Sequence, residues 1–274
     1  MLDRAIANLR YAARLIVRAP MFTLTAVVSL AIGIGATTTI FTVANALLFT
    51  PASGVRDVSR LVDIGRSTHG QGFDTVSYPT FLDLRDQLPV FEGMYAVRFG
   101  ADPVTLGGPD GAERIYGQQV SAGYFDVIGA VPALGTFFHT GEERLGAPLR
   151  KVVLNHAFWR QRFGGDPGIA GQPITLNGDA FVVAGVAAPG FSGTTIVAPD
   201  VWIPMTAYAT AMVTDRTLRG RESNGFIMGA RLRAGVSLGQ ARHAALAAFD
   251  RLSREYPDVY ADRGLVVVAM GRLP

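Results

Sequence analysis

The 274-residue chain contains no cysteine and a single lysine, Lys151. Without cysteine there can be no disulfide framework, thiol nucleophile or thiolate-held metal. With its only lysine followed by Val152, the chain cannot carry the phosphate-cradling pattern G-x-x-x-x-G-K-[ST]. Charge is missing where its absence says most. No charged residue lies between Arg18 and Arg56, so Met21 to Phe49 is one neutral run. As a helix it would be about 43 Å long at 1.5 Å per residue, against a bilayer hydrocarbon core of about 30 Å.

Within that run stands LAIGIGATTTIF, Leu30 to Phe41. Its Gly-Ile-Gly does not open a dinucleotide site. The third glycine position is occupied by Thr38, and the first acidic residue beyond it is Asp57. Read as a membrane helix, the small residues have a use. Ser29, Gly33 and Thr37 lie four apart on one face, and Ala31, Gly35 and Thr39 lie four apart on the neighbouring one. Small residues at that spacing let another helix approach closely. Ser29, Gly33, Gly35 and Thr37 are the candidate packing positions, and they imply partner helices. Glycine is also common in membrane spans without such a role.

The net charge of +3 is placed unevenly. Residues 1–20 hold Arg4, Arg10, Arg14 and Arg18 against Asp3, which accounts for the whole excess. The remaining 21 basic and 21 acidic residues balance, so the pI near 9.4 carries no nucleic-acid footprint. In the same segment Leu2, Ile6, Leu9, Ala13 and Ile16 follow a helical rhythm, with the arginines on the opposite face. An apolar stripe against an arginine face suits a helix lying among lipid headgroups, and Pro20 ends it. Arginine on this side places the N-terminus in the cytoplasm and the chain beyond the span outside. Ala44-Asn45-Ala46 resembles a signal-peptide cleavage site, although the apolar run exceeds the usual 7–15 residues of a signal.

From Asp57 the pattern becomes that of a mixed α/β domain. RLVDIGRS (60–67) reads as a strand, and Ser77 caps a helix with Pro79 in its first turn. A strand near 113–120 leads to a short helix capped at Ser121. RKVVLN (150–155) is a strand entering the helix HAFWRQRFGG, closed by its glycines. PITLNGDAFVVAGVA (173–187) is a hairpin turning at Asn177-Gly178. GFIMGARLR (225–233), a helix capped by Ser237, and GLVVVAM (264–270) form a β-α-β unit, which implies parallel pairing of its strands.

Catalytic signatures are absent. HTGEE (139–143) offers one histidine and two carboxylates without the second histidine of a metal helix, and reads as a solvated turn or helix start. Ser192 in GFSGT lacks the closing glycine of G-x-S-x-G and reads as loop. Asp83 and Asp86, three apart, read as a solvated helix face. Trp159 and Phe163 read as core. No catalytic, cofactor-binding or metal-ligating residue is expected, and no cofactor.

Four blocks, LAIGIGATTTIFTVANALL, VSAGYFDVIGAVPALGTFF, VVLNHAFWRQRFGGDPGIAGQPITLNGDAFVVAGVAAPGF and ARLRAGVSLGQARHAALAAF, resemble the N-terminal half of FtsX-like ABC-transporter permeases, of the duplicated orphan permease type. The resemblance is to the first transmembrane helix and the MacB-like periplasmic core domain. It implies an amphipathic elbow helix (1–20), one transmembrane helix (21–49) and an extracytoplasmic two-lobed α/β domain (50–274), one lobe porter-like with βαβ units and the other inserted. It further implies a non-catalytic permease component in the plasma membrane. The partners would be an ABC ATPase subunit, other permease helices and a homo- or pseudo-dimer mate. Such permeases continue into three further membrane helices, whereas this sequence stops at Pro274, so a fragment is expected. A secreted or anchored hydrolase or ligand-binding protein is the alternative.

The charge asymmetry has a direct test. A cysteine introduced at Asn177 should react with a membrane-impermeant thiol reagent in spheroplasts, and one at Asn8 should not. Labelling at Asn8 alone would invert the orientation.

Overall fold

A computed structural model of the chain describes residues 20–48, 54–108, 111–194, 198–208 and 213–271. The amphipathic helix expected over residues 1–20 lies, apart from Pro20, outside them. The chain divides into two units, 1–50 and 51–274, and each is described by itself.

The first unit contains α1 (Pro20–Leu48). Proline is suited to a helix start, where its missing N–H is not needed. The described large apolar side chains of α1, including Met21, Leu24, Leu30, Ile32 and Phe41, are exposed. The hydroxyls of Thr25, Thr37 and Thr39 donate to the carbonyls of Met21, Gly33 and Gly35 at 2.9, 2.8 and 2.8 Å. These hydroxyls therefore keep their hydrogen bonds within the helix. Among the described residues no helix is long and apolar enough to cross a membrane.

The second unit opens with β1 (Leu61–Thr68), β2 (Gln71–Asp74), β3 (Val76–Ser77), α2 (Tyr78–Gln87) and β4 (Phe91–Arg98). Ser77 caps α2 by accepting from Thr80 N, and Pro79 lies in the first turn, as the sequence predicts. Next come β5 (Asp102–Gly108), β6 (Gly111–Val120), α3 (Tyr124–Ile128), β7 (Pro132–Gly135), β8 (Lys151–Leu154) and α4 (His156–Arg162). The hairpin of β9 (Pro173–Leu176) and β10 (Asp179–Ala187) turns at Asn177 and Gly178, whose φ angles of 50° and 89° are those a primed two-residue turn requires. β11 (Val201–Pro204) and α5 (Asp215–Arg219) precede β12 (Asn224–Leu232), α6 (Leu238–Glu255), α7 (Pro257–Tyr260) and β13 (Arg263–Ala269). Ser237 and Gln240 form a reciprocal capping box at the start of α6.

Two lobes emerge from the pairing. The first is a sheet in the order β4-β12-β1-β13 with each neighbour antiparallel. β12 and β13 thus run parallel but do not touch, because β1 lies between them. The direct parallel pairing expected from the β-α-β signal is replaced by a split one. The reason is that β1, from the other end of the domain, supplies a buried strand of matching length between them. β1 and β4 are related in the same way across β12, which makes this lobe ferredoxin-like. Its core joins α2 and α6 to the sheet through Phe81, Leu84, Met228, Ala245, Phe249 and Val267.

The second lobe is inserted between β4 and β12. Its strands follow the order β11-β8-β10-β9-β5-β6, and β6 pairs in parallel with β11, so the six strands close into a barrel. Val152, Leu154, Leu176, Phe181, Val183 and Ile203 fill it. Trp159 and Phe163 pack against this core, as expected. The short helix α3 begins later than expected. Gly123 is its N-cap, with no side-chain hydrogen bond, while the Ser121 hydroxyl accepts from Ala96 N at 3.0 Å. Buried Ser121 serves the neighbouring strand instead of the helix.

At Gly185 the barrel strand β10 comes very close to the backbone of β7 and the residue after it. A Cβ built there would lie 2.4 Å from the Thr136 carbonyl oxygen and 2.6 Å from that of Leu134, and backbone cannot swing aside. Gly185→Ala should therefore cost about 1–3 kcal/mol of stability, measured by chemical denaturation followed through tryptophan fluorescence. A change below about 0.5 kcal/mol, the range of an uninvolved surface site, would contradict the packing of β7 on β10.

Candidate functional site

Three places can support a role: the exposed face of α1, the junction between the lobes, and a cavity in the first lobe. Ser29, Gly33, Gly35 and Thr37 all lie in α1 and are exposed. A Cβ on Gly33 or Gly35 would meet no atom within 4 Å, so among the described residues nothing packs on either glycine.

The junction is built of aromatic rings around α3. Phe125 stacks on Phe137 at 4.0 Å and meets the rings of Tyr124, Phe138 and Trp202 edge to face. Tyr95 from the first lobe adds its ring to Tyr124 at 5.1 Å. Beside this layer sits Glu143. Its Oε2 accepts from Ala122 N at 2.9 Å and from the Tyr78 hydroxyl at 3.1 Å, and its Oε1 accepts from Thr206 N at 3.2 Å. One carboxylate thus ties the start of α2 to the approach to α3 and the exit from the barrel. Burial pushes its pKa above the ordinary 4.5, opposed by those three donors. Burial likewise pushes Asp63 on β1 up to about 6.

Arg231 of β12 is the second junction anchor and is 1% exposed. Its guanidinium donates to the carbonyls of Val127, Ile128, Arg56 and Asp57 at 2.6, 3.0, 2.6 and 3.2 Å. Two of these are the orphan carbonyls at the end of α3, where a cation is favoured.

The cavity, about 260 Å3, lies at the edge of the first lobe where β1, β3, β12, α6 and α7 meet. A hydrogen-bonded chain forms part of its wall: Ser77 Oγ to Thr80 Oγ1 at 2.7 Å, then to the Tyr260 hydroxyl at 2.8 Å. Arg221 donates to that hydroxyl at 3.3 Å and to Asp83 at 2.6 Å, with its guanidinium 3.8 Å over the Tyr256 ring.

The sequence candidates fare differently. Asp83 is paired with Arg221 rather than left on a solvated face, whereas Asp86 is exposed and bonded to Arg85 at 2.8 Å. In HTGEE, residues 140–142 form a 3-10 turn, and His139 bonds Asp126 at 2.7 Å. Glu142 bonds Lys151 while its neighbour Glu143 turns inward. Ser192 lies in a loop, as expected. Among the described residues no group of three or more acidic or histidine side chains could hold a metal. Sequence reading missed Glu143, Arg231 and Arg221. Nothing local separates Glu143 from Glu142, and the partners of both arginines are distant in sequence.

Known proteins share this architecture. The family model for the MacB-like periplasmic core domain matches residues 23–248. The chain belongs to that family. A crystallised domain of a protein given as a permease from Porphyromonas gingivalis is similar over 80% of this chain and 94% of its own, with 16% identity and a TM-score of 0.59. The periplasmic region of MacB from Actinobacillus actinomycetemcomitans is similar over 81% and 94%, with 13% identity and a TM-score of 0.55. The extracellular domain of the noncanonic ABC-type transporter YknZ from Gram-positive bacteria covers 75% of this chain and 99% of its own, at 12% identity and a TM-score of 0.52. No curated protein matches the chain. The family and the fold agree with the resemblance to FtsX-like permeases, and this is a MacB-like core domain of the ABC-permease type.

The Glu143 bonds yield a stability test. Glu143→Ala strands three donors and should cost about 2–4 kcal/mol, while Glu143→Gln should cost less. Because the folded pKa is raised, the protonated fold is favoured. The associated stability is fully present below about pH 4.5 and lost as pH rises through the folded value. Glu143→Gln should flatten this slope in denaturation curves taken from pH 4 to 8. An unchanged slope would remove Glu143 from the account, leaving Asp63, whose shift has the same sign.

Proposed function

We propose that this chain is a non-catalytic permease component of an ABC-type transporter or mechanotransmission complex. α1 anchors it in the plasma membrane with the N-terminus cytoplasmic, and the two-lobed domain stands outside. A partner ABC ATPase moves the membrane helices, and the outer domain converts that motion into export or another extracytoplasmic event. The observation that carries this reading is the family match, which begins at Thr23 within α1 and runs through the inserted lobe into α6 of the first.

Two further features support it. The uncharged α1 has 29 residues and presents apolar side chains outward, a surface that water does not tolerate over such an area. The span rests on the charge-free sequence from Met21 to Phe49 as a whole. Second, the junction gives the outer domain a stiff connection between lobes, as a transmitter of motion requires.

Ser29, Gly33, Gly35 and Thr37 form the face on which partner helices, or a homo- or pseudo-dimer mate, would pack. Gly33→Leu would push the helix axes apart and forfeit about 1–2 kcal/mol of contact. Crosslinking to partner helices, or co-purification of the ATPase, should fall several-fold while circular dichroism of the outer domain stays unchanged. Unaltered association would leave α1 as an anchor only.

A further inference from the structure

We infer that Arg231 delivers a pull arriving from α1 to the junction between the lobes, by clamping the segment through which the chain enters the outer domain. This deepens the permease reading and rests on it for the source of the pull. Residues 54–60 are the first described after α1. Tension along a covalent chain acts on the first group that is held fast, whatever the conformation of the chain before it. The first firm hold on this segment is therefore where the load is borne.

That hold is at Arg56 and Asp57. The Arg231 guanidinium donates from Nη2 to the Arg56 carbonyl at 2.6 Å and from Nη1 to that of Asp57 at 3.2 Å. The same Nη2 donates to Ile128 O at 3.0 Å and Nε donates to Val127 O at 2.6 Å, so one side chain bridges the segment and the end of α3. Arg56 N adds a bond to the Ile128 carbonyl at 3.0 Å. The fit is close, since a Cβ on Gly129, which follows α3, would lie 2.7 Å from Arg56 Cβ. Val55 packs against the aromatic core of the junction. Hydrogen bonds from a charged donor are the strong ones, and this donor is buried.

The placement decides where a load goes. Arg231 belongs to β12 of the first lobe, and α3 belongs to the chain inserted between β4 and β12. A load on this clamp falls on both sides of the junction at once. Without Arg231, one backbone bond to Ile128 remains ahead of Arg60 and β1, and these hold the first lobe alone. There the Arg60 Nε donates to the Leu232 carbonyl at 3.0 Å and its Nη2 to Glu92 at 2.6 Å. Lysine is no substitute at position 231, because one ammonium cannot span the four carbonyls that a planar fork reaches.

The test is single-molecule pulling on the full chain in detergent micelles. The sequence has no cysteine, so two introduced cysteines can carry the handles. One replaces Ser53, ahead of the segment, and the other Gln161, exposed on α4. In the wild type the segment should stay bound until a lobe unfolds. In Arg231→Gln it should come away first, as a separate step no longer than the roughly 25 Å that seven extended residues span. Hydrogen exchange of the peptide spanning 54–60 should quicken about tenfold, the equivalent of about 1.4 kcal/mol, while that of β10 stays unchanged and shows the variant folded. Arg231→Lys keeps a charge at the end of α3 and should also release the segment early. It decides the matter if Arg231→Gln fails to fold. The handles supply the pull, so a negative result leaves the permease reading standing, and failure of membrane anchoring in cells leaves the clamp untouched. Early release of the segment in the wild type, or no early release in a folded Arg231 variant, would overturn the inference.

Discussion

The stacking of Phe125 on Phe137 sits at the centre of the constraint on which the outer domain depends. The two lobes are joined through β4 and β6, whose pairing is the single Val97–Val120 match. So short a ladder cannot hold two β-lobes in one orientation. The aromatic layer around Phe125 does so, because close-packed interiors resist compression and shear. The Arg231 guanidinium and the Glu143 carboxylate pin the two sides of that layer to backbone groups. The lobes consequently share a core, with Leu61 and Tyr95 of the first packed beside Phe138 and Trp202 of the second.

Edges are managed differently in each lobe. The inserted lobe has no open edge in its six-stranded ring, because β6 and β11 close it. The first lobe ends at β13, whose outer backbone would otherwise invite another strand. There Arg242 from α6 donates twice to the Val267 carbonyl, at 2.9 and 3.2 Å. A guanidinium on a carbonyl of the edge strand blunts it against uncontrolled pairing.

The buried polar groups of the domain mainly join elements: Glu143 and Arg231 at the junction, and the Ser77–Thr80–Tyr260–Arg221 chain between α2, α7 and the turn ahead of β12.

Local patterns were legible in the sequence for clear reasons. The charge-free run, the caps at Ser77 and Ser237, the Asn177-Gly178 turn and the apolar strands each depend on neighbours a few residues away. The fold class and the family resemblance rest on the same local blocks. Tertiary structure alone decided the rest. It placed β1 between β12 and β13, closed the barrel through β6 and β11, and turned Glu143 inward while Glu142 stayed near solvent. It also drew Asp83 to Arg221, 138 residues away. Strand order, burial and ion pairing follow from which distant surfaces exclude water together, and no short stretch of sequence carries that information.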